Sequence, residues 1–348
     1  MKLCLFTSLN TNVGDDFIRE GILNLLKKAD ISFEYTIINK HDPESLFDFE
    51  GKNKVKDSDF TILCGTPVFW SINGSTSYNC DWIDWFYKDH IFSGNDNLII
   101  LAAGSCHSLD CKIEQLCSKD LELKDFTEKI AKKAKFISTR DFVCRDLLNY
   151  YDIPNKLLFC TALNCIEGMQ GSSLVAKYIS VTFMEMFGHF ADFQMFAIKF
   201  REILNEIRNH GPIKFICHDQ KELHFALQNK QSNDIIFHSE NYKHYYNVFE
   251  DVILHISCRV HGSILASSAS VPNINIITDT RGYSCDRLST YSFDPNIHSF
   301  YDLKIMIERI LNNREILMEN LIFLKNYNEE EYIKIFNQYF LKFSSEGE

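Results

Sequence analysis

Arg259, His261 and Arg281 fall in one stretch, Val252–Arg281, with the sequence VILHISCRVHGSILASSASVPNINIITDTR. A guanidinium is a planar, permanently charged fork that matches phosphate or carboxylate oxygens in pairs. An imidazole titrates near neutrality and can pass a proton. Arginine and histidine two positions apart therefore suit a reaction in which an anion is held and a proton is moved. Arg140, in the segment Ser138-Thr139-Arg140-Asp141, is a second candidate for holding an anion. The turn Asn12-Val13-Gly14-Asp15 is a third. Its backbone N–H groups would open a helix and suit an anion or sugar hydroxyls. Plainer readings stand beside these. His261 would be a hydrogen-bonded structural residue, Gly262 would serve a tight turn, Arg281 would pair with Asp279 at the surface, and Asn12 or Asp15 would only cap a helix.

The elements that must position these groups follow from apolar runs. Val252–Ser257 has the composition of a buried strand; a turn carries Arg259 and His261, a small-residue helix follows, then a second strand. Open α/β sheets bind ligands beyond the carboxyl ends of their strands, where these candidates fall. The same alternation runs along the chain. Strands are expected at Lys2–Ser8, Phe33–Ile38, Asp59–Cys64, Asn97–Ala102, Phe136–Ser138 and Lys156–Cys160, with helices at Phe17–Lys28, Phe126–Ala134 and after Asp141. After a Gly/Ser-rich segment, Gly168–Ser173, strands are expected at Tyr178–Met184, Ile213–Cys217 and Asp234–His238. Helices are expected at Phe193–Arg208, from Asp219, at Tyr242–Phe249 and from Tyr301. A chain of 348 residues is too long for one ordinary core. The expected fold is α/β, with two Rossmann-like domains facing across a cleft, residues 1–170 and 171–348. The first turn is not GxGxxG, so dinucleotide binding is poorly supported.

Composition removes several classes. A formal net charge of −11 argues against a general nucleic-acid binder. Twelve cysteines include no CxxC pair and mostly sit in apolar contexts such as Cys4, Cys64, Cys217 and Cys258, which points to free thiols and a cytoplasmic setting. The N-terminal MKLCLFTSLN has no long apolar core of a signal peptide, and the apolar run Leu98–Ala103 is far too short to span a membrane. No metal site is expected: Asp57-Ser58-Asp59 precedes a strand instead of following one, and His218 and His224 lack zinc spacing. Trp70, Trp82 and Trp85, with Tyr78, would either line an acceptor side or pack a core.

SCRVHGSILASSASVPNINI, with its Arg-x-His-Gly turn, small-residue helix and Pro-led strand, resembles the signature of the polysaccharide pyruvyl transferase family. The Asn12-x-Gly14-Asp15 turn and the Ser138–Asp141 segment fall where that family has its N-terminal turn and mid-chain arginine. The resemblance implies transfer of pyruvate from phosphoenolpyruvate to a sugar as a ketal. It implies catalytic roles for His261, Arg259 and Arg140, and donor contacts from these with Gly262 and Arg281. Acceptor contacts would come from Asn12, Gly14 and Asp15. It implies no cofactor beyond the donor substrate, and a sugar or glycan-precursor acceptor; a lipid-linked acceptor would bring peripheral membrane association. The sequence departs from the family at Gly65-Thr66-Pro67, at Cys160-Thr161-Ala162 and at Arg281, often Lys in relatives. A two-domain glycosyltransferase using a nucleotide sugar, or a catalytically idle sugar-phosphate-binding relative, are the alternatives.

Overall fold

The structure is a computed structural model and describes residues 1–9, 12–40, 54–65, 67–70, 97–119, 124, 127–128, 131–167, 176–184 and 193–341. The segment 168–173 expected as a linker, and Tyr78, Trp82 and Trp85, lie outside the described residues.

The chain divides into two compact units, Met1–Cys165 with Tyr327–Glu348, and Ile166–Asn326. Each is built on one parallel sheet. In the first unit the elements are β1 (Lys2–Thr7), α1 (Val13–Lys28), β2 (Glu34–Asn39), β3 (Phe60–Cys64), β4 (Pro67–Trp70), β5 (Leu98–Cys106), α2 (Ile113–Lys119), β6 (Ala134–Thr139), α3 (Phe142–Tyr150) and β7 (Lys156–Leu157). Strand order is β2-β1-β3-β5-β6-β7, with β4 also beside β5. The second unit has β8 (Tyr178–Thr182), α4 (Phe193–Arg208), β9 (Ile213–Cys217), α5 (Gln220–Asn229), β10 (Ile235–His238), β11 (Val252–Ser257), α6 (Val260–Ser268), β12 (Asn273–Ile276), β13 (Tyr291–Phe293) and α7 (Phe300–Asn312). Its order is β10-β9-β8-β11-β12-β13. Helix α8 (Arg314–Phe336) starts in the second unit and ends in the first. These are the two Rossmann-like α/β sheets expected from the alternation, the GT-B-like fold class.

The strands form where they do because both faces are covered. β1, β3, β5 and β11 are near-continuous apolar runs, as buried parallel strands require, and their side chains are almost wholly buried. Strand order reverses between β1 and β3 in the first sheet and between β8 and β11 in the second. These are the switch points where α/β sheets open a crevice.

Several expectations are corrected. Tyr242–Asn247 is a 3-10 turn, not an α-helix, and β7 covers only Lys156–Leu157. β5 runs past the expected Ala102 to Cys106, through an irregular register at Ala102, whose φ is +54°. The second domain expected at 171–348 does not keep the whole helical C-terminus, whose last part, from Tyr327, belongs to the first unit. Tyr332 and Asn328 are fully buried there. The Tyr332 hydroxyl donates to Phe159 O at 3.1 Å and lies 3.0 Å from Ser138 Oγ. Asn328 Oδ1 accepts from Phe159 N at 3.2 Å. Among the described residues no helix is long and apolar enough to cross a membrane. Cys4, Cys64, Cys217 and Cys258 are buried free thiols, and burial pushes Cys4, Cys64 and Cys258 up to about 12.

Candidate active site

In the second unit, Arg259 stands two residues beyond the end of β11, beside the switch point. The crossing is tied by Cys258, whose N donates to Thr182 O at 3.2 Å and whose sulfur accepts from Met184 N at 3.2 Å. Ser257 fixes the Arg259 backbone twice: its Oγ accepts from Arg259 N at 3.0 Å and donates to Arg259 O at 2.9 Å. Arg259 is the N-cap residue of α6 but supplies no side-chain cap. Helix starts usually carry Ser, Thr, Asp or Asn to satisfy their first N–H groups. An arginine here leaves the first turn suited to an outside anion and adds positive charge to the positive end of the helix dipole.

The Arg259 guanidinium is gripped along one edge. Nε donates to Glu222 Oε1 and Nη2 to Asp219 Oδ2. Nη1, at the other end of the fork, makes no hydrogen bond among the described residues. Asp219 caps α5, accepting from Glu222 N at 2.9 Å, and Glu222 Oε2 accepts from His218 N at 2.6 Å. The α5 start is held in place by Phe225, stacked on Phe183 just past β8 with ring centroids 3.8 Å apart. Glu222 is 1% exposed, and burial pushes its carboxyl up to about 7 against the opposing pull of Arg259. Burial, then the charge of Arg259, holds His218 well below the usual imidazole range.

His261 lies half-buried in the first turn of α6. Gly262 follows, and its role is spatial. A Cβ there would lie 2.5 Å from Ser257 Oγ and 3.3 Å from His255 Nε2, so only glycine lets α6 pack this close to β11. His255 is fully buried, with Nδ1 2.8 Å from Ser180 Oγ; burial brings it down to about 3, which keeps it neutral. Arg281 sits in the turn Thr280–Cys285 after β12. The expected pairing with Asp279 is present, but Asp279 is buried: Arg281 Nε donates to Oδ1 at 2.9 Å and Nη2 to Oδ2 at 2.5 Å. This grip also uses the Nε–Nη2 edge. The turn is tied to α6 by the Cys285 thiol, 3.6 Å from Val260 O.

In the first unit, Asn12 caps α1, its Oδ1 accepting from Gly14 N at 3.1 Å. Asp15 is 3% exposed and faces inward to Lys40 Nζ at 2.8 Å and to Ser8 Oγ. The turn therefore has the capping role set out as the plainer reading, and Asp15 acts from behind the surface. Arg140 is 2% exposed. It packs against Gly104, where a Cβ would lie 2.5 Å from its Nε, and hydrogen-bonds Cys160. Asp141 caps α3 and accepts from Ser105 N and Oγ, both at 2.8 Å. Burial raises its carboxyl above the usual range. Asp59 accepts from Lys2 N at 2.6 Å, which uses it to join β1 and β3.

The structure thus gathers Arg259, His261, Gly262 and Arg281 at one edge of the second sheet, and Asn12, Gly14, Asp15 and Arg140 at the carboxyl edge of the first. Asp219 and Glu222 were not singled out from sequence. Their signal was an Asp-x-x-Glu pattern directly after an expected strand, which announces a helix start but not its cationic partner.

No curated protein matches the sequence. Among solved structures, the Neisseria meningitidis UDP-GlcNAc 2-epimerase bound to UDP-GlcNAc aligns over 98% of this chain and 100% of its own, with TM-score 0.55 and 12% identity. The Methanocaldococcus jannaschii UDP-GlcNAc 2-epimerase in complex with UDP-GlcNAc and UDP aligns over 90% and 93%, with TM-score 0.52 and 12% identity. Os79 from O. sativa in complex with UDP aligns over 97% and 100%, with TM-score 0.53 and 10% identity. At such identities the likeness concerns the fold. The sequence pattern of the polysaccharide pyruvyl transferases matches residues 12–280, from the Asn12 turn through Arg140 and the Arg259–His261 turn, and the chain belongs to this transferase family.

Proposed function

We propose that the protein is a ketal pyruvyltransferase that moves pyruvate from phosphoenolpyruvate onto a sugar of a surface polysaccharide or its precursor. One observation carries this reading. Arg259 is fixed along its Nε–Nη2 edge, its Nη1 end is unused among the described residues, and it stands on an uncapped helix start beside His261. A guanidinium held from behind by carboxylates loses little freedom when its other end meets a dianion, so its charge-assisted bonds are gained at low entropic cost. Arg281, held in the same manner by Asp279, supplies a second charge for the carboxylate or phosphate.

The reaction then proceeds without a cofactor beyond the donor. His261 gives a proton to the methylene carbon, which becomes the methyl group, and positive charge develops at the enol carbon. A sugar hydroxyl adds there and loses its proton. The bond to the phosphate oxygen breaks, inorganic phosphate leaves, and a second hydroxyl closes the ketal. The arginines stabilise charge on the donor oxygens as phosphate departs. Asn12 and Gly14, at the edge of the first sheet, would meet acceptor hydroxyls, and Asp15 would hold their turn. Arg140, buried against Gly104, would act on this edge as a fixed charge.

The test is thermal stability with phosphoenolpyruvate and with UDP-sugars, wild type beside Arg259→Ala. A ligand at 100 times its Kd stabilises by roughly 2.7 kcal/mol. At about 2–4 °C per kcal/mol for a unit of this size, that is an upward shift of roughly 5–10 °C. A phosphoenolpyruvate shift lost in Arg259→Ala supports the reading. A shift with UDP-sugars alone, unaltered in the variant, refutes it and favours a nucleotide-sugar transferase. Unchanged phosphate release in His261→Ala removes the proposed acid.

A further inference from the structure

Arg259 is one cation facing two carboxylates, and the donor it is proposed to hold brings more negative charge. The cluster therefore has a surplus of anions once a ligand arrives. Asp219 has an outlet, since its side chain is 43% exposed and water can screen it. Glu222 has none: it is 1% exposed, and its oxygens are committed to Arg259 Nε and His218 N. A buried carboxylate that meets an added anion across a shared guanidinium is relieved most simply by taking a proton.

We propose that Glu222 is the positioning residue that couples donor binding to proton uptake: it is protonated when an anion occupies the Nη1 end of Arg259 and ionised when the end is empty. This rests on the reading of Arg259 as the donor anion site. The proton neutralises the carboxyl without moving it, so Arg259 keeps its orientation while its charge is turned from the protein's own carboxylate to the ligand. The ordinary ionisation range is already compatible with such an exchange, because burial raises Glu222 to about 7.

The groups facing Glu222 support this assignment. Its own helix contributes Asp219, an anion. The β11–α6 turn contributes Arg259 and, through the electrostatic field around it, Cys258, a thiol that burial pushes up to about 12 and keeps protonated. The end of β9 contributes Cys217, raised by burial, and the residue after it, His218, is held neutral by burial and by Arg259. The 3-10 turn Tyr242–Asn247 contributes Tyr245, whose hydroxyl is raised by burial and donates to Cys217 O at 2.6 Å. His261 and His238 are within electrostatic reach of His218. Of these neighbours, the Asp219 carboxylate and the imidazoles of His218, His238 and His261 could also accept a proton, so the test must separate them from Glu222.

The experiment is calorimetric titration of the full chain at pH 7.5–8.5 with two probes, phosphoenolpyruvate and inorganic sulfate, in buffers of different ionisation enthalpy. Sulfate does not titrate in this range, so any proton taken up with it belongs to the protein. The expected result is net uptake approaching one proton per site with either probe. Uptake should fall to near zero in Glu222→Gln and persist in His261→Gln, with binding itself lost in Arg259→Ala. Correspondingly, wild-type affinity for sulfate should weaken by up to about tenfold per pH unit above 7, while that of Glu222→Gln stays flat. Undiminished uptake in Glu222→Gln, or pH-independent binding in wild type, overturns the proposal. So does failure of both probes to bind. Phosphoenolpyruvate binding no better than sulfate, with uptake intact, removes the pyruvyl donor and leaves the proton coupling standing. Should Glu222→Gln not fold, absence of uptake by wild type, or its loss in His261→Gln, still decides against Glu222.

Discussion

Gly262→Ala tests whether the Arg-x-His-Gly turn owes its glycine to packing. The added Cβ would stand 2.5 Å from Ser257 Oγ, closer than such atoms can approach, and 3.3 Å from His255 Nε2. Something must move, and Ser257 Oγ can move only by breaking its two bonds to the Arg259 backbone. Each such bond contributes about 1 kcal/mol. Forcing the helix outward instead costs about 1–3 kcal/mol. Replacing glycine in a helix returns at most about 1 kcal/mol. The net loss is roughly 1 kcal/mol, or about 2–4 °C in the melting of a unit of this size. Ser257→Ala removes the obstructing oxygen, at a cost of about 2 kcal/mol for its two bonds. In that background the new Cβ meets the Cβ of residue 257 at 3.4 Å and His255 Nε2 still at 3.3 Å, and Gly262→Ala should be close to neutral. The double-mutant cycle by scanning calorimetry should thus show a coupling of about 1 kcal/mol. Because Ser257 positions Arg259, Gly262→Ala should also reduce the phosphoenolpyruvate-induced shift. An equal cost of Gly262→Ala in both backgrounds, or no cost in the wild type, would refute the packing argument.

Glu222 predicts a pH dependence of stability. Its carboxyl holds a proton up to about 7 when folded, against 4.5 ordinarily, so the folded state binds more protons between these values. The associated stability is complete below pH 4.5 and lost as pH rises through 7, a change of roughly 3 kcal/mol. Urea unfolding across pH 4.5–8 should show this slope in wild type and a flatter one in Glu222→Gln; parallel curves would contradict it. Lys40→Met strands the buried Asp15 carboxylate without its cation and should cost about 3–5 kcal/mol, read as a lower urea midpoint. Tyr332→Phe removes the bonds to Phe159 O and Ser138 Oγ and should cost about 1–3 kcal/mol. If α8 belongs to the first unit as described, protection of β6 amides against hydrogen exchange should fall in that variant, while β11 is unaffected.

The sequence by itself determined the β/α alternation, most strand positions and the Arg-x-His-Gly turn. These depend on short-range physics: continuous apolar runs for buried strands, 3.6-residue periodicity for helices, Asp or Asn at helix starts. Phe193–Arg208 shows how far this goes, since the expected helix and α4 share their bounds. Tertiary structure decided what each charged residue faces. Asp219 and Glu222 lie far from Arg259 in sequence and meet it because the order β9-β8-β11 brings the ends of β9 and β11 to the same sheet edge. The sequence places Arg140 at a strand end as a candidate for holding an anion; Gly104 on the neighbouring β5 lacks the Cβ that would keep it out, and so it is buried. Asp15 is drawn inward by Lys40, which follows β2 and is brought there by the parallel pairing of β1 with β2. The last turns of α8 join the first unit because Asn328 and Tyr332 find their hydrogen-bond partners at Phe159, Asn164 and Ser138. Local periodicity carries no record of such partners, because strand order alone sets which loops share an edge.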